Sequence, residues 1–397
     1  MSPKSPAAPC PAFPAPVELP VIDPQIARAH TLPAAAYTNG DLFAQERQRI
    51  FARHFQPVAA RSQLRQPGDQ LACQVAGYPL IVLVDQQGEL RAYHDVCRHR
   101  AGPLSDGSGA VCQRKTLQCR YHGWTYALDG RLLHTPGLRS PDEPAGQDRA
   151  AEGFRRDDFS LIPVEVATFG PLIFVRLQRP PGAAPSLLDH LGELPAEITH
   201  FATAAMQLRE RREYHVACNW KVYIDNYLEG YHIPMVHPAL MRELDYPAYR
   251  VEPRAQHSRQ HAPIRPLSDS SAAIPGARAR EYSPSEGDGA AAYYWVFPNL
   301  MLNYYPDHLQ VNIVRPLSVN TTAVLFEWYF PPASSEADQA KQARRIAFAD
   351  TVQAEDAAIC QAVQERLQAG IYDRGRFVPG FEDGVHHFQS LVERALR

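Results

Sequence analysis

The sequence predicts an α+β chain built from two unlike domains, and three observations carry that reading. Residues 56–165 are short apolar runs punctuated by Gly and Pro, the texture of a small all-β domain. Between Ala291 and Pro331 the runs YYWVFP, LMLNYY, LQVNIVRPL and TAVLFEWYF follow one another as consecutive strands of an antiparallel sheet. Helical periodicity at 186–200, after residues 213–220 and at 335–369 supplies helices to flank that sheet. The expected division is an N-terminal extension over 1–40, the all-β domain with a leading helix over 41–165, and the sheet-and-helix domain over 166–397.

Taken in order, residues 1 to 20 are dominated by Pro and Ala and show no period, so a loosely draped segment is expected. From Asp41, the spacing of Leu42, Phe43, Ile50, Phe51 and Phe55 predicts an amphipathic helix. Gln86-Gln87-Gly88 and Leu128-Asp129-Gly130 lie between runs rich in Val, Ile, Tyr and Leu, where hairpin turns belong. Further strands are expected at Leu161–Val166 and Leu172–Val175, closed by the Arg179-Pro180-Pro181-Gly182 loop. Residues 253–290, rich in Ser, Pro, Gly, Arg and Ala, read as a long surface excursion that could cover a site.

With 397 residues the chain is long enough for two or three domains and a large core. A net charge of −3 argues against nucleic acid or an anionic membrane as partner. There is no apolar run long enough to span a membrane and no signal-peptide core at the N-terminus. Seven scattered cysteines, at 10, 73, 97, 112, 119, 218 and 360, argue against a disulfide framework and for a cytoplasmic protein.

The most specific stretch runs from Cys97 to His122. It holds Cys97-x-His99, nineteen residues, then Cys119-x-x-His122. Two clips that each mix one thiolate with one imidazole suit a [2Fe–2S] cluster with Cys on one iron and His on the other, the Rieske arrangement. A zinc site is the nearest rival, but zinc clips usually pair Cys with Cys and His with His. The bland alternative is that these side chains simply fill a core.

A second metal site is suggested by NWKVYIDNYLEGYHIPMVHP, Asn219 to Pro238. Glu229 and His232 are three residues apart and would share a helix face. Pro234 would break the turn and let His237 swing back toward His232. Two His and one carboxylate form the facial triad of non-haem Fe(II) oxygenases. Zinc can use the same ligands, and a His pair often does no more than hydrogen-bond. A cluster passes electrons singly, whereas a mononuclear iron binds O2 and needs an electron source. Both in one chain imply reductive O2 activation.

The motifs CRHRAG, CRYHGWTYALDG, NWKVYIDNYLEGYHIPMVHP and FPNLMLN together resemble the catalytic α-subunits of Rieske non-haem iron oxygenases, over nearly the whole chain after residue 40. The resemblance implies a Rieske domain followed by a helix-grip-like catalytic domain. It implies that Cys97, His99, Cys119 and His122 hold the cluster, and that His232 and His237 hold the iron. A later carboxylate completes the set: Asp356, with Glu355 as the fallback. Glu229 then becomes a bridging carboxylate between a cluster histidine of one subunit and an iron histidine of the next, with Asn226 beside it as a further catalytic candidate. The resemblance also implies a homotrimer and electrons from a separate NAD(P)H-dependent flavin/[2Fe–2S] reductase. The absence of a Gly-rich dinucleotide fingerprint agrees with a separate reductase.

Glu at the bridge, in DNYLEGYH, resembles the members acting on carnitine, glycine betaine, stachydrine and, less closely, choline more than the aromatic-ring dioxygenases. The expected reaction is hydroxylation or N-demethylation of a quaternary or tertiary amine; the alternative is mono- or cis-dihydroxylation of an aromatic ring. Tyr293, Tyr294, Trp295, Phe297, Tyr304, Tyr305, Trp328 and Tyr329 could form a cation cage or merely pack the sheet. Arg250, Arg254, His257 and Arg265 are candidate anchors for a substrate carboxylate. Two readings outside this class are a pure electron carrier and a regulatory protein that kept the fold without its iron.

Overall fold

The computed structural model describes residues 18–139, 141, 149–180, 182, 184–199, 201, 205–263 and 290–397. Two seven-stranded sheets dominate it. The first takes its strands in the order Gln56–Ala60, Leu172–Arg176, Pro163–Phe169, Leu90–His94, Tyr78–Val84, Asp69–Val75, Cys112–Gln113. It therefore continues past residue 165 to Arg176, because Leu172–Arg176 is buried along its whole length and pairs on both edges. A three-stranded sheet, Leu117–Gln118, Thr125–Tyr126 and Leu132–His134, stands apart from it. The expected hairpin turns fall at Gly88 and Gly130, whose φ values of +85° and +89° favour glycine.

The leading helix α1 spans Gly40–Glu46, capped by the Asn39 side chain, and widens into a π-helical turn over Arg47–Phe51. It buries Leu42, Ile50 and Phe51 in the main core. Where one helix is expected over 186–200, Leu187–Leu191 and Leu194–Glu197 form two short ones, since Gly192 (φ +59°) ends the first.

The second sheet runs in the order Gln207–Val216, Thr321–Phe330, Leu309–Ser318, Leu300–Tyr304, Ala290–Val296, His257–Pro263, Arg250–Pro253, antiparallel throughout. Part of the expected excursion is thus sheet: His257–Pro263 pairs with a strand on each side, Arg250–Pro253 is the edge strand beyond it, and residues 264–289, with Arg265, lie outside the described residues. Strand alternation gives the sheet two different faces. One carries Leu302, Tyr304, Leu309, Val311, Leu325 and Tyr329 into a core of its own. The other carries Trp295, Met301, Phe326 and Trp328 toward α2 (Trp220–Tyr227), α3 (Glu336–Gln368) and α4 (Asp383–Leu396).

Helix α2 is anchored at its first turn. Asn219 caps it, Trp220 Nε1–H donates to Glu46 Oε2 at 2.7 Å, and the Lys221 ammonium is buried against Glu46 Oε1 of α1. A buried pair of this kind is costly to break on one side, so α1 fixes where α2 starts.

Candidate active site

Helix α2 ends at Tyr227, two residues before Glu229, which corrects the expectation that Glu229 and His232 share a helix. Glu229 instead lies in the turn that follows, where its Oε2 accepts from the His232 backbone N–H at 3.1 Å. Pro234 does not break a turn either. It stands in the first turn of a new short helix, Ile233–Val236, where proline's missing N–H is no loss, with His232 as N-cap. That helix returns His237 toward His232, ring centroids 5.0 Å apart.

Among the described residues His232, His237 and Asp356 bring one ligand atom each within 4.8 Å of one another. Asp356 Oδ1 is 2.9 Å from His237 Nε2, 3.7 Å from His232 Nε2 and accepts from Asn226 Nδ2 at 2.6 Å. Each imidazole is held from behind by a carboxylate. Glu229 Oε1 is 2.6 Å from His232 Nδ1, and Glu355 Oε2 is 2.7 Å from His237 Nδ1. Both Nε2 atoms are therefore left facing the same point as the Asp356 carboxylate. Carboxylates behind ligand histidines fix ring orientation and raise basicity. Burial opposes a charge on His237, but the hydrogen bonds it donates to Asp356 and Glu355 hold its pKa above the ordinary value. A bound cation would displace that proton. The donor set fits a hard or borderline divalent ion such as Fe(II).

Asp356 and Glu355 are neighbours on α3, yet they meet opposite sides of His237. Glu355, the fallback ligand by sequence, is the side chain behind the ring. Sequence reading missed this role, although its adjacency to Asp356 was the available signal.

The triad forms one wall of a cavity of about 110 Å³. That is below the usual range for drug-sized ligands and suits a compact substrate. Tyr227, Tyr249, Tyr293, Tyr305, Phe326 and Phe348 supply its aromatic surface. Of the eight aromatics singled out in the sequence, only Tyr293 and Tyr305 line it. Tyr294, Tyr304 and Tyr329 point to the opposite sheet face, while Trp295, Phe297 and Trp328 are in the main core. The carboxylate anchors proposed from sequence are engaged elsewhere: Arg254 pairs with Glu252 at 2.7 Å and Glu197 at 3.3 Å, Arg250 donates to the carbonyls of Pro247 and Tyr249, and His257 is buried beside Glu197.

Cys97 and Cys119 are both 2% exposed, whereas His99 is exposed and His122 half-buried. The clips are laid side by side by backbone hydrogen bonds, Cys97 N to Gly102 O at 2.9 Å and Arg120 N to Pro103 O at 3.2 Å. A Cβ on Gly102 would lie 2.7 Å from Cys119 Sγ, so only glycine leaves room there. The Cys97 thiol meets the Tyr126 hydroxyl at 3.2 Å, and burial pushes its pKa up, so a metal is what would hold it as thiolate. The His99 and His122 rings are 4.6 Å apart, and Trp124 stacks on His99 at 4.8 Å. One Cys and one His in each clip suit a two-iron cluster with the sulfurs on one iron and the imidazoles on the other. With buried sulfurs, an exposed His99 and a half-buried His122, the histidine end of such a cluster would lie nearer the surface. Tyr126, Gly102 and Trp124 were not singled out from sequence.

A Rieske-type domain joined to a centre of two histidines and one carboxylate, in an antiparallel sheet-and-helix domain, defines an iron-dependent oxygenase. Residues 54–154 match the Rieske [2Fe–2S] domain and residues 203–397 the ring-hydroxylating α-subunit catalytic domain. The chain belongs to the Rieske non-haem iron oxygenases, whose cofactors are the Rieske cluster and a mononuclear iron. It is 30% identical over 391 residues to the chloroplastic choline monooxygenase of Arabidopsis thaliana, covering 94% of this chain and 85% of that protein. It is 26% identical over 375 residues to the carnitine monooxygenase oxygenase subunit of Acinetobacter pittii (strain PHEA-2), covering 92% and 94%. The fold matches the quaternary ammonium Rieske monooxygenase CntA with a TM-score of 0.81 at 23% identity, covering 96% of this chain and all of that one. It matches naphthalene 1,2-dioxygenase from Rhodococcus sp. with a TM-score of 0.71 at 20% identity, covering 92% and 93%.

Proposed function

We propose that this oxygenase hydroxylates a carbon next to a quaternary or tertiary nitrogen, giving an alcohol, an aldehyde or an N-demethylated amine. The observation that carries the proposal is the compact cavity beside His232, His237 and Asp356, lined by Tyr and Phe and by the carboxylates of Glu229 and Asp356. A trimethylammonium group has no N–H to donate and is held by aromatic faces, about 0.5–2 kcal/mol per aromatic contact. The choline and carnitine monooxygenases among its relatives support the same reading.

In this proposal His232, His237 and Asp356 hold the mononuclear iron, and Cys97, His99, Cys119 and His122 hold the cluster. When bound, these groups supply single electrons and the reductive activation of O2. The net change is R–H + O2 + 2e⁻ + 2H⁺ → R–OH + H2O. Glu229 and Glu355 fix the two iron histidines by accepting from Nδ1. Asn226 restrains Asp356 by donating to its Oδ1. The Tyr and Phe side chains orient the ammonium head and exclude water. In this proposal Glu229 also bridges to a cluster histidine of a second subunit. The proposal accordingly includes a homotrimer, a separate NAD(P)H-dependent reductase and a cytosolic setting. Among the described residues no helix is long and apolar enough to cross a membrane.

The test is aerobic turnover of the purified protein with a reductase on ammonium compounds and on aromatic acids. Aldehyde or formaldehyde coupled to NADH use from an ammonium compound supports the proposal. An oxygenated aromatic product with every ammonium compound inert would replace it with ring hydroxylation.

A further inference from the structure

One aromatic wall of the cavity is braced from outside it. Tyr293 and Tyr305 both line the cavity, and their rings stand nearly at right angles, 77° apart with centroids at 5.8 Å. Tyr293 is set by its strand, Ala290–Val296, but Tyr305 is in no strand. It opens the turn Tyr305-Pro306-Asp307-His308 that joins Leu300–Tyr304 to Leu309–Ser318, where its N–H donates to the His308 carbonyl at 2.9 Å. Turn residues move more than strand residues unless something packs them. What packs Tyr305 therefore matters to the site.

His308 folds back over it. The two rings are parallel within 8° at 4.4 Å, and Phe330 is stacked in turn on His308 at 4.8 Å. Stacked rings can tip to the edge-on arrangement that aromatic pairs also favour. Here the imidazole is tied down, because its Nδ1–H donates to Asp307 Oδ1 at 2.7 Å. Asp307 Oδ2 is held in turn by Arg345 Nε at 3.0 Å and by Lys341 Nζ at 3.2 Å. Both cations belong to α3, the helix that carries Asp356, so the turn is tied to the same helix as the metal site. Burial, with the charges of Arg345 and Lys341, outweighs Asp307 and holds the His308 pKa below its ordinary value. The ring behind Tyr305 is thus neutral; a protonated one would set a cation against the tyrosine that an ammonium group needs.

A buried ion pair is a costly brace for a hairpin, since well-packed apolar residues serve as well or better. What apolar residues would not do is fix the plane of a ring. We propose that His308, locked by Asp307 and through it by Arg345, sets the plane of Tyr305, and so shapes the corner between Tyr293 and Tyr305 that takes the ammonium head of the substrate. His308 and Asp307 act through Tyr305 and are positioning residues for charge recognition. This rests on the quaternary-amine reading and says what holds its aromatic wall.

The test compares ammonium compounds with their tert-butyl analogues, in which carbon replaces the charged nitrogen. Choline, glycine betaine and the analogue of each are titrated calorimetrically into the anaerobic holoprotein, without reductase. Shape and arm are shared within a pair, so the affinity ratio reads recognition of the charge. For the ammonium compound that binds tighter, the wild-type ratio is expected to be about tenfold. His308→Leu should lower it to about twofold, with the analogue's affinity, the iron content and the cluster absorption kept. Tyr305→Leu should lower it likewise, and the double variant should fall no further, because one residue acts through the other. Asp307→Asn, nearly isosteric and so the safer variant for folding, should lower the ratio about threefold. A ratio kept in His308→Leu, or in Asp307→Asn should the first variant not fold, overturns the inference and leaves the amine reading standing. So does an equal loss for both members of the pair, or a double variant below Tyr305→Leu. If the wild-type protein binds neither ammonium compound tighter than its analogue, the amine reading falls and the inference with it.

Discussion

Removing Glu355 should weaken the mononuclear centre without touching the cluster. The carboxylate sits 2.7 Å from His237 Nδ1, and the His237 side chain is 2% exposed. In Glu355→Ala the buried Nδ1–H loses its acceptor and the ring loses the contact that aims Nε2 at Asp356. Carboxylates in this role are worth about 10–100-fold in metal affinity, or roughly 1.4–2.8 kcal/mol. Glu355→Gln keeps a carbonyl acceptor and loses the charge, so it should fall near the low end. The assay is Fe(II) affinity by chelator competition, read beside the cluster's visible absorption as an internal control. Unchanged iron affinity in both variants would refute the assignment of Glu355 to His237. Parallel loss of cluster absorption would mean that the substitution disturbs the fold and not the site.

Other consequences can be checked in the same preparations. Gly102→Ala, with its Cβ at 2.7 Å from Cys119 Sγ, should lower cluster content in an iron and sulfide assay while Fe(II) affinity at the second site is kept. Glu229→Gln should retain both metals but cut product formation, and full turnover in that variant would remove the bridging role. Lys221→Met leaves the Glu46 carboxylate buried without its cation and should cost about 3–5 kcal/mol in denaturant unfolding. His190 is 6% exposed, and burial, with the neighbouring charge of His54, pushes its pKa down to about 4. The unfolded chain binds that proton more readily, so stability is full above about pH 6.5 and falls as pH drops toward 4. The loss is about 2 kcal/mol at pH 5. His190→Gln should flatten this acid limb.

The Cys/His clips were legible in the sequence because their members sit close together in the chain. Cys97, His99, Cys119 and His122 declare themselves by spacing, as do His232 and His237. Asp356 lies more than a hundred residues away and came only through the family resemblance. Helix boundaries around Glu229 misled, since a glycine and a proline admit either a kinked helix or the turn and second helix observed. The aromatic set misled for a plainer reason. Strand alternation sends Tyr293 and Tyr294 to opposite faces, and composition alone cannot say which face meets the iron.

The central claim is that one chain holds two independent iron centres, one on the Cys/His clips and one on His232, His237 and Asp356. Counting iron and acid-labile sulfide in the wild-type protein and in His232→Ala and Asp356→Ala addresses it directly. The account predicts about three irons and two sulfides per wild-type chain, and about two irons with unchanged sulfide and cluster absorption in each variant. Three irons retained in the variants, or cluster absorption lost together with the third iron, would contradict it.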